Sequence, residues 1–221
     1  MVSSAPSRLT ALQRELAEAF FRREQRMFLT GGAALAGFYL GHRTTEDLDL
    51  FGPPGIDLAQ AARTLGEAAV ECGAALSAQQ TSPDFRRFHA RRGDELCIVD
   101  LVVDRAPMIE GQKVAFGVVR VDTLREITAN KVCTILARSE IKDLVDLTAL
   151  LKAGQPLEQA LEDARQKDAG VDPATLAWLL SEITISSEAR LPGGVDPVAV
   201  DSDRQDLVRR LRAIAFARAR R

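Results

Sequence analysis

From Arg8 to Gln25 the apolar residues Leu9, Leu12, Leu16, Ala19 and Phe20 recur every three or four positions, the period of one helix face. A brief apolar run, Met27 to Thr30, then reads as a strand. It breaks at Gly31-Gly32, and Ala33 to Leu40 resumes in good helix formers, with Gly41 placed to end the helix. Asp47 to Phe51 alternates acid and apolar residues as a strand does. After the turn Gly52-Pro53-Pro54-Gly55, Asp57 caps a helix that turns Leu58, Ala62, Leu65 and Ala69 inward. Three strands follow, Ala74 to Gln80, Phe85 to Arg91 and Glu95 to Val103, separated by the turn signals Ser82-Pro83-Asp84 and Arg92-Gly93-Asp94. Val114 to Val121 predicts one more strand. From there the period is helical: Asp122 serves as an N-cap, and helices are expected at about 123–138, 140–152, 156–168, 173–184 and 203–219. Leu191 to Val200, with two prolines and two glycines, reads as a loop. The pattern predicts an α/β (α+β) domain over residues 1–121, with a small mixed sheet flanked by helices, and a helical C-terminal domain over 122–221.

Composition narrows the function classes. With 29 basic and 31 acidic residues the net charge is −2, so any contact with nucleic acid must use a local patch. Cys72, Cys97 and Cys133 lie far apart among apolar neighbours, as buried thiols do in a reducing compartment. His42 and His89 form no spaced metal-binding pair, which argues against a zinc enzyme. No apolar run approaches the roughly 18 residues of a spanning helix, so the expectation is a cytoplasmic protein with no membrane partner.

The chemistry concentrates in one segment. On a strand Asp47 and Asp49 project from one face, ~7 Å apart along the backbone, while Leu48 and Leu50 pack on the other. The pair reads either as a solvated face or as a seat for a divalent cation, with hard oxygen ligands that suit magnesium or manganese. Sixteen residues earlier, Gly31-Gly32 reads either as a plain turn or as exposed backbone amides approaching an anion. Together the two features favour a nucleotide-and-metal site.

Four further places break the apolar pattern. Asp100 interrupts the strand Cys97-Ile98-Val99-Asp100-Leu101-Val102-Val103, where a buried acid needs a cation, a donor or a cleft. Lys131 falls on the inward stripe of its helix, between Ile127 and Ile135, and must snorkel or meet an anion. Asp143 and Asp146 share a helix face, with Lys142 able to pair with Asp146. Arg43, just ahead of the acidic strand, is either a surface residue or a phosphate or aspartate partner. Arg87, His89 and Arg91 on one strand face, and the arginines from Arg209 to Arg221, are possible backbone contacts for RNA. The lone Trp178 reads as core or helix packing.

The run Phe28-Leu29-Thr30-Gly31-Gly32-Ala33-Ala34-Leu35, then Gly41-His42-Arg43-Thr44-Thr45, then Asp47-Leu48-Asp49-Leu50-Phe51, resembles motif I of the AbiEii/AbiGii toxin family of nucleotidyltransferases. Lys131 to Arg138 followed by Lys142 to Leu147 resembles the family's later motifs. The resemblance implies a polymerase-β-like nucleotidyltransferase fold in which Gly31, Gly32, Arg43 and Thr44 bind the nucleotide. It implies that Asp47, Asp49 and Asp100 hold Mg2+ or Mn2+, that Lys131 contacts phosphate and that Asp143 and Asp146 complete the site, with Lys131 and Asp143 facing the cleft. It further implies a nucleoside triphosphate donor, an RNA acceptor such as transfer RNA, and a cognate antitoxin. Transfer to a small molecule of the aminoglycoside type, or nucleotide binding without catalysis, are the alternative readings. One departure stands out: Ala33 occupies the place where the family usually has Ser or Thr, so a hydroxyl contact to phosphate is missing unless Thr30, Thr44 or Thr45 supplies it.

Overall fold

The computed structural model describes residues 7–220. Two compact units divide the chain: one comprises the residues up to Ala106 together with Gln112–Thr123, the other Pro107–Gly111 together with the residues from Leu124 onward.

In the first unit, helix α1 (Ala11–Phe21) starts at Thr10 and not at Arg8, because Thr10 and Gln13 form a reciprocal capping box. Leu12, Leu16, Phe20 and Phe21 are fully buried on its inner face. Strand β1 (Phe28–Thr30) leads directly into a single helical turn, α2 (Gly31–Ala34), which continues as a π-helical turn over Leu35–Tyr39. Strand β2 (Asp47–Gly52), helix α3 (Leu58–Glu71, capped by Asp57) and strands β3 (Ala75–Thr81), β4 (Phe85–Arg92) and β5 (Glu95–Val103) follow. The expected strand over 114–121 is instead a hairpin of β6 (Val114–Phe116) and β7 (Val119–Val121).

All seven strands join one mixed sheet in the order β3-β4-β5-β2-β1-β7-β6. The β2·β5 and β1·β7 pairs are parallel and the others antiparallel. Alternation along β2 leaves Asp47, Asp49 and Phe51 half-buried while Leu48 and Leu50 are fully enclosed.

Asp122, read as an N-cap, is enclosed. Its carboxylate is buried, accepting hydrogen bonds from the Thr30 hydroxyl at 2.9 Å and from Lys113 Nζ at 2.8 Å, with the ammonium 4.0 Å from the Phe28 ring centroid. An acid so enclosed requires a cation and a donor, and this arrangement ties β1 to the end of β7 and to the segment ahead of β6.

The second unit is helical: α4 (Leu124–Arg138), α5 (Ile141–Lys152), α6 (Leu157–Lys167), α7 (Pro173–Glu182) and α8 (Pro197–Ala219). Its core gathers Ile135, Leu144, Leu161, Leu176, Leu180 and Leu211 among others. Helix α8 begins six residues earlier than the periodicity suggests, because Asp196 caps it and Pro197 occupies its first turn. The expected loop shrinks to a short 3-10 turn, Pro192–Gly194, and its flanks. Glu126 recruits Pro107–Gly111 to this unit by accepting from the Ile109 and Glu110 amides at 2.8 and 2.9 Å, and it also pairs with the buried Lys167. Trp178, expected to pack inward, is 59% exposed, since Leu176, Ala177 and Leu180 already take the inner stripe of α7.

Replacing Asp122 with Ala strands the Lys113 ammonium without its carboxylate and should destabilise the fold by about 3–5 kcal/mol in equilibrium urea unfolding. Arg209→Ala, which removes only the exposed pair with Asp206, should cost under about 1 kcal/mol in the same assay. Equal effects of the two substitutions would refute the importance of the buried pair.

Candidate active site

The antiparallel pairing of β1 with β2 sets Thr30 opposite Asp49, so the residue after Thr30 meets the acidic strand at once. Gly31 takes a left-handed φ of +65°, and a Cβ there would run into the Asp49 carboxylate Oδ2 and stand 3.2 Å from its Cγ. Only glycine satisfies both conditions. At Gly32 a Cβ would lie 2.7 Å from Arg43 Nη2 and 3.2 Å from Thr45 Oγ1. The two glycines therefore lie against two different groups: Gly31 against the acid, Gly32 against the guanidinium and hydroxyl that precede the acidic strand.

Arg43 is buried, at 5% exposure, and donates to the Thr44 carbonyl at 2.9 Å. It is a fixed component of the turn and no surface residue. Thr45 Oγ1 donates to Asp47 Oδ1 at 2.6 Å. The main chain at Thr45 is held in turn by Gln13, whose fully buried side chain donates from Nε2 to the Thr45 carbonyl at 2.9 Å. Sequence reasoning passed over Gln13, although Thr10-x-x-Gln13 is a capping-box signature that places the glutamine on the inner face of α1. Of the three threonines able to replace the hydroxyl missing at Ala33, Thr30 is committed to Asp122 and Thr45 to Asp47. Thr44 is exposed, and its hydroxyl makes no hydrogen bond among the described residues.

Asp100 stands opposite Asp49 in the parallel β2·β5 register, and Arg87 stands opposite Asp100 in the antiparallel β4·β5 register. Arg87 forms a two-pronged pair with Asp100, Nε to Oδ1 at 2.8 Å and Nη2 to Oδ2 at 2.6 Å. This hydrogen bonding to Asp100, with the charges of Asp47 and Asp49 adding to it, raises the guanidinium pKa above its ordinary value. Arg87 thus points at the acids, a role its position in a basic stretch did not disclose. Among the described residues no three acids, histidines or cysteines are arranged to enclose a metal ion. The β2 acids stand as a pair with Asp100 drawn to Arg87.

The remaining expected residues lie in the second unit, where the structure brings them together. Lys131 Nζ pairs with Asp143 at 2.9 Å and with Asp146 at 2.7 Å, and all three side chains are buried. Arg138 donates to Asp143 from Nε at 2.7 Å and from Nη2 at 3.1 Å. Lys142 pairs with Glu140 at 3.1 Å, not with Asp146, because Asp146 faces inward toward Lys131. Burial pushes the Lys131 pKa down, but the charges of Asp146 and Asp143 outweigh it and leave the ammonium above its usual range. Burial likewise raises Asp143, yet hydrogen bonds from Arg138 and the Lys131 charge hold its carboxyl below the usual carboxylate range. Cys97 and Cys133 are pushed up by burial, to about 12 and about 11, and remain inert thiols.

Two outcomes follow. Gly31→Ala should destabilise the first unit by at least ~1–2 kcal/mol for the left-handed backbone alone. In the double variant with Asp49→Ala the steric part should be relieved, so a double-mutant cycle should show coupling, and strict additivity would refute the contact. For the second cluster, the depressed Asp143 pKa means stability fully present above the unfolded carboxylate value near ~3.9 and lost as pH falls through the lower folded value. The raised Lys131 pKa means stability fully present below about 10.4 and lost as pH rises through the folded value. Asp143→Asn should flatten the acid limb of a thermal-unfolding profile, and an unchanged limb would count against this cluster.

The family described as nucleotidyl transferase AbiEii toxin, type IV toxin–antitoxin system, matches residues 11–219. Comparison with curated proteins returned no match. Among solved structures, JHP933 from Helicobacter pylori is similar with a TM-score of 0.61 at 19% identity, covering 95% of this chain and 92% of that one. MenT4, a nucleotidyltransferase toxin from Mycobacterium tuberculosis, is similar with a TM-score of 0.55 at 13% identity, covering 90% of this chain and 81% of that one. These structural likenesses show the fold, and the family implies an antitoxin counterpart. No helix among the described residues is long and apolar enough to cross a membrane. With its glycine turn locked against a paired-aspartate strand, the chain belongs to the AbiEii family of nucleotidyltransferase toxins of type IV toxin–antitoxin systems.

Proposed function

We propose that this toxin transfers a nucleotide from a nucleoside triphosphate to a hydroxyl of RNA, transfer RNA foremost, with Mg2+ or Mn2+ held by Asp47 and Asp49. The observation that carries the reading is the contact of Gly31 with Asp49, which brings backbone amides and a carboxylate pair to one place. Half-buried carboxylates on one strand face fit a magnesium ion, which is commonly bound by one or two carboxylates with substrate phosphates supplying further oxygens. When bound, such an ion neutralises phosphate charge and aligns the α-phosphate for in-line attack.

The chain's own residues have distinct tasks. Thr45 holds the rotamer of Asp47 through its hydroxyl, and Gln13 holds Thr45. Gly31 and Gly32 admit the triphosphate to the backbone, Arg43 behind Gly32 supplies positive charge and the exposed Thr44 supplies a hydroxyl. Asp100 draws the proton from the attacking hydroxyl or adds a ligand. Its partner Arg87 is well placed to turn to phosphate, which would release the carboxylate. Within the second unit, Asp143 and Asp146 hold the Lys131 ammonium charged and in place.

The test incubates purified protein with magnesium, each labelled triphosphate and total RNA, beside Asp49→Ala and Arg87→Ala. Label should reach RNA with wild type, fall by more than about a hundredfold in Asp49→Ala, and fall by on the order of a hundredfold in Arg87→Ala. Full labelling by Asp49→Ala would sink its proposed role. Label appearing only on an added aminoglycoside would replace RNA with a small-molecule acceptor, and nucleotide binding with no transfer would make the chain a binding module. Expression of wild type should arrest growth, and Asp47→Ala should relieve the arrest.

A further inference from the structure

Helices α7 and α8 carry a surface that the proposed chemistry does not use. Trp178 on α7 and Phe216 on α8 are 59% and 70% exposed, and both line one groove of about 420 Å³ with Arg212, floored by alanines such as Ala177 and Ala215. Large aromatic side chains left so open on packed helices are unusual, because each forgoes a large hydrophobic gain. The C-terminal stretch of α8 is one-sided in charge. After Asp206 no acid occurs in the sequence, while Arg209, Arg210, Arg212, Arg218, Arg220 and Arg221 do. Arg209 is paired with Asp206, but Arg210, Arg212, Arg218 and Arg220 are exposed and make no ion pair among the described residues.

We infer that the α7–α8 groove is a docking site for single-stranded RNA, with unpaired bases stacking on Trp178 and Phe216 and the α8 arginines meeting the phosphates. The assignment rests on the reading of RNA as acceptor and adds the surface that holds it. Charge complementarity selects the occupant. A polyanion satisfies exposed arginines that make no ion pair, and flat rings beside them offer stacking platforms that do not depend on base identity. A base-paired duplex keeps its bases stacked within itself and cannot use the rings in this way.

Trp178 is the only tryptophan in the chain, so its emission reports on the groove directly. The experiment titrates the full chain with a mixed-sequence single-stranded 12-mer RNA, following tryptophan emission and the anisotropy of a label on the RNA. Quenching of Trp178 on binding is expected. Affinity should fall about tenfold in Phe216→Ala or Trp178→Ala, in keeping with loss of one stacking platform, while Phe216→Tyr retains it. Arg212→Glu with Arg218→Glu should weaken binding further and reduce its salt dependence. A duplex of equal length should leave the emission unchanged. Because Trp178 and Phe216 are exposed, thermal unfolding of each variant should match wild type, which separates lost binding from lost folding.

Binding without quenching and with unchanged affinity in both aromatic variants would overturn the inference. So would a concentration-dependent dimer that Phe216→Ala abolishes, since the groove would then belong to a second copy. The two readings separate cleanly. Groove-dependent binding with no label transferred to RNA would keep the docking surface and remove RNA as acceptor. Transfer to RNA with an unchanged KM in Trp178→Ala would keep the acceptor and remove the surface.

Discussion

The first unit is organised by the register in which a three-residue strand meets an acidic one. Thr30 opposite Asp49 obliges the chain to turn within one residue, and the turn is so close to the carboxylate that no side chain fits at Gly31. From that constraint the neighbouring strands take their places. Parallel β5 brings Asp100 beside Asp49, and antiparallel β4 brings Arg87 beside Asp100. The loop ahead of β2 is fixed from below by Gln13, so Arg43 and Thr45 reach the turn from a held backbone. Strand geometry does most of the positioning here, and hydrogen bonds from Gln13 and Thr45 complete it.

Enclosed charges recur in both units, each one matched. Lys113 with Asp122 joins the segment ahead of β6 to the end of β7, Lys131 with Asp143 and Asp146 joins α4 to α5, and Glu126 with Lys167 anchors α4 to α6. Such pairs add little over well-packed apolar residues, but removing one member leaves an uncompensated charge. They act less as sources of stability than as conditions that the fold must meet in only one way. In the second unit the same principle gives Lys131 a fixed direction and keeps it protonated.

Much of the fold was legible from periodicity, because α1, α3, β2 and α4 to α7 each bury a face that repeats at the helix or strand spacing. Where the reading went astray, a local signal was outweighed or overlooked. Val114 to Val121 looks continuous yet turns at Gly117-Val118, and Asp196-Pro197 starts α8 early. In the site, the glycines and the paired aspartates could be read because their residue types are restrictive. Arg87 and Gln13 could not, because their partners lie 13 and 32 positions away and only strand pairing and helix packing bring them near. Trp178 was misjudged for the opposite reason: an aromatic residue signals burial, and this one is left open.

The alternation along β2 has an evolutionary consequence. The same register that directs Asp47 and Asp49 to one face seals Leu48 and Leu50 into the core on the other. Sliding this strand by one residue would exchange the two sets, putting carboxylates in the core and leucines in the site. Lineages of this chain therefore cannot move the two aspartates off this face by gradual slippage, since any such drift is removed first as a failure to fold. A descendant that keeps the alternation of this strand keeps its two aspartates on one face.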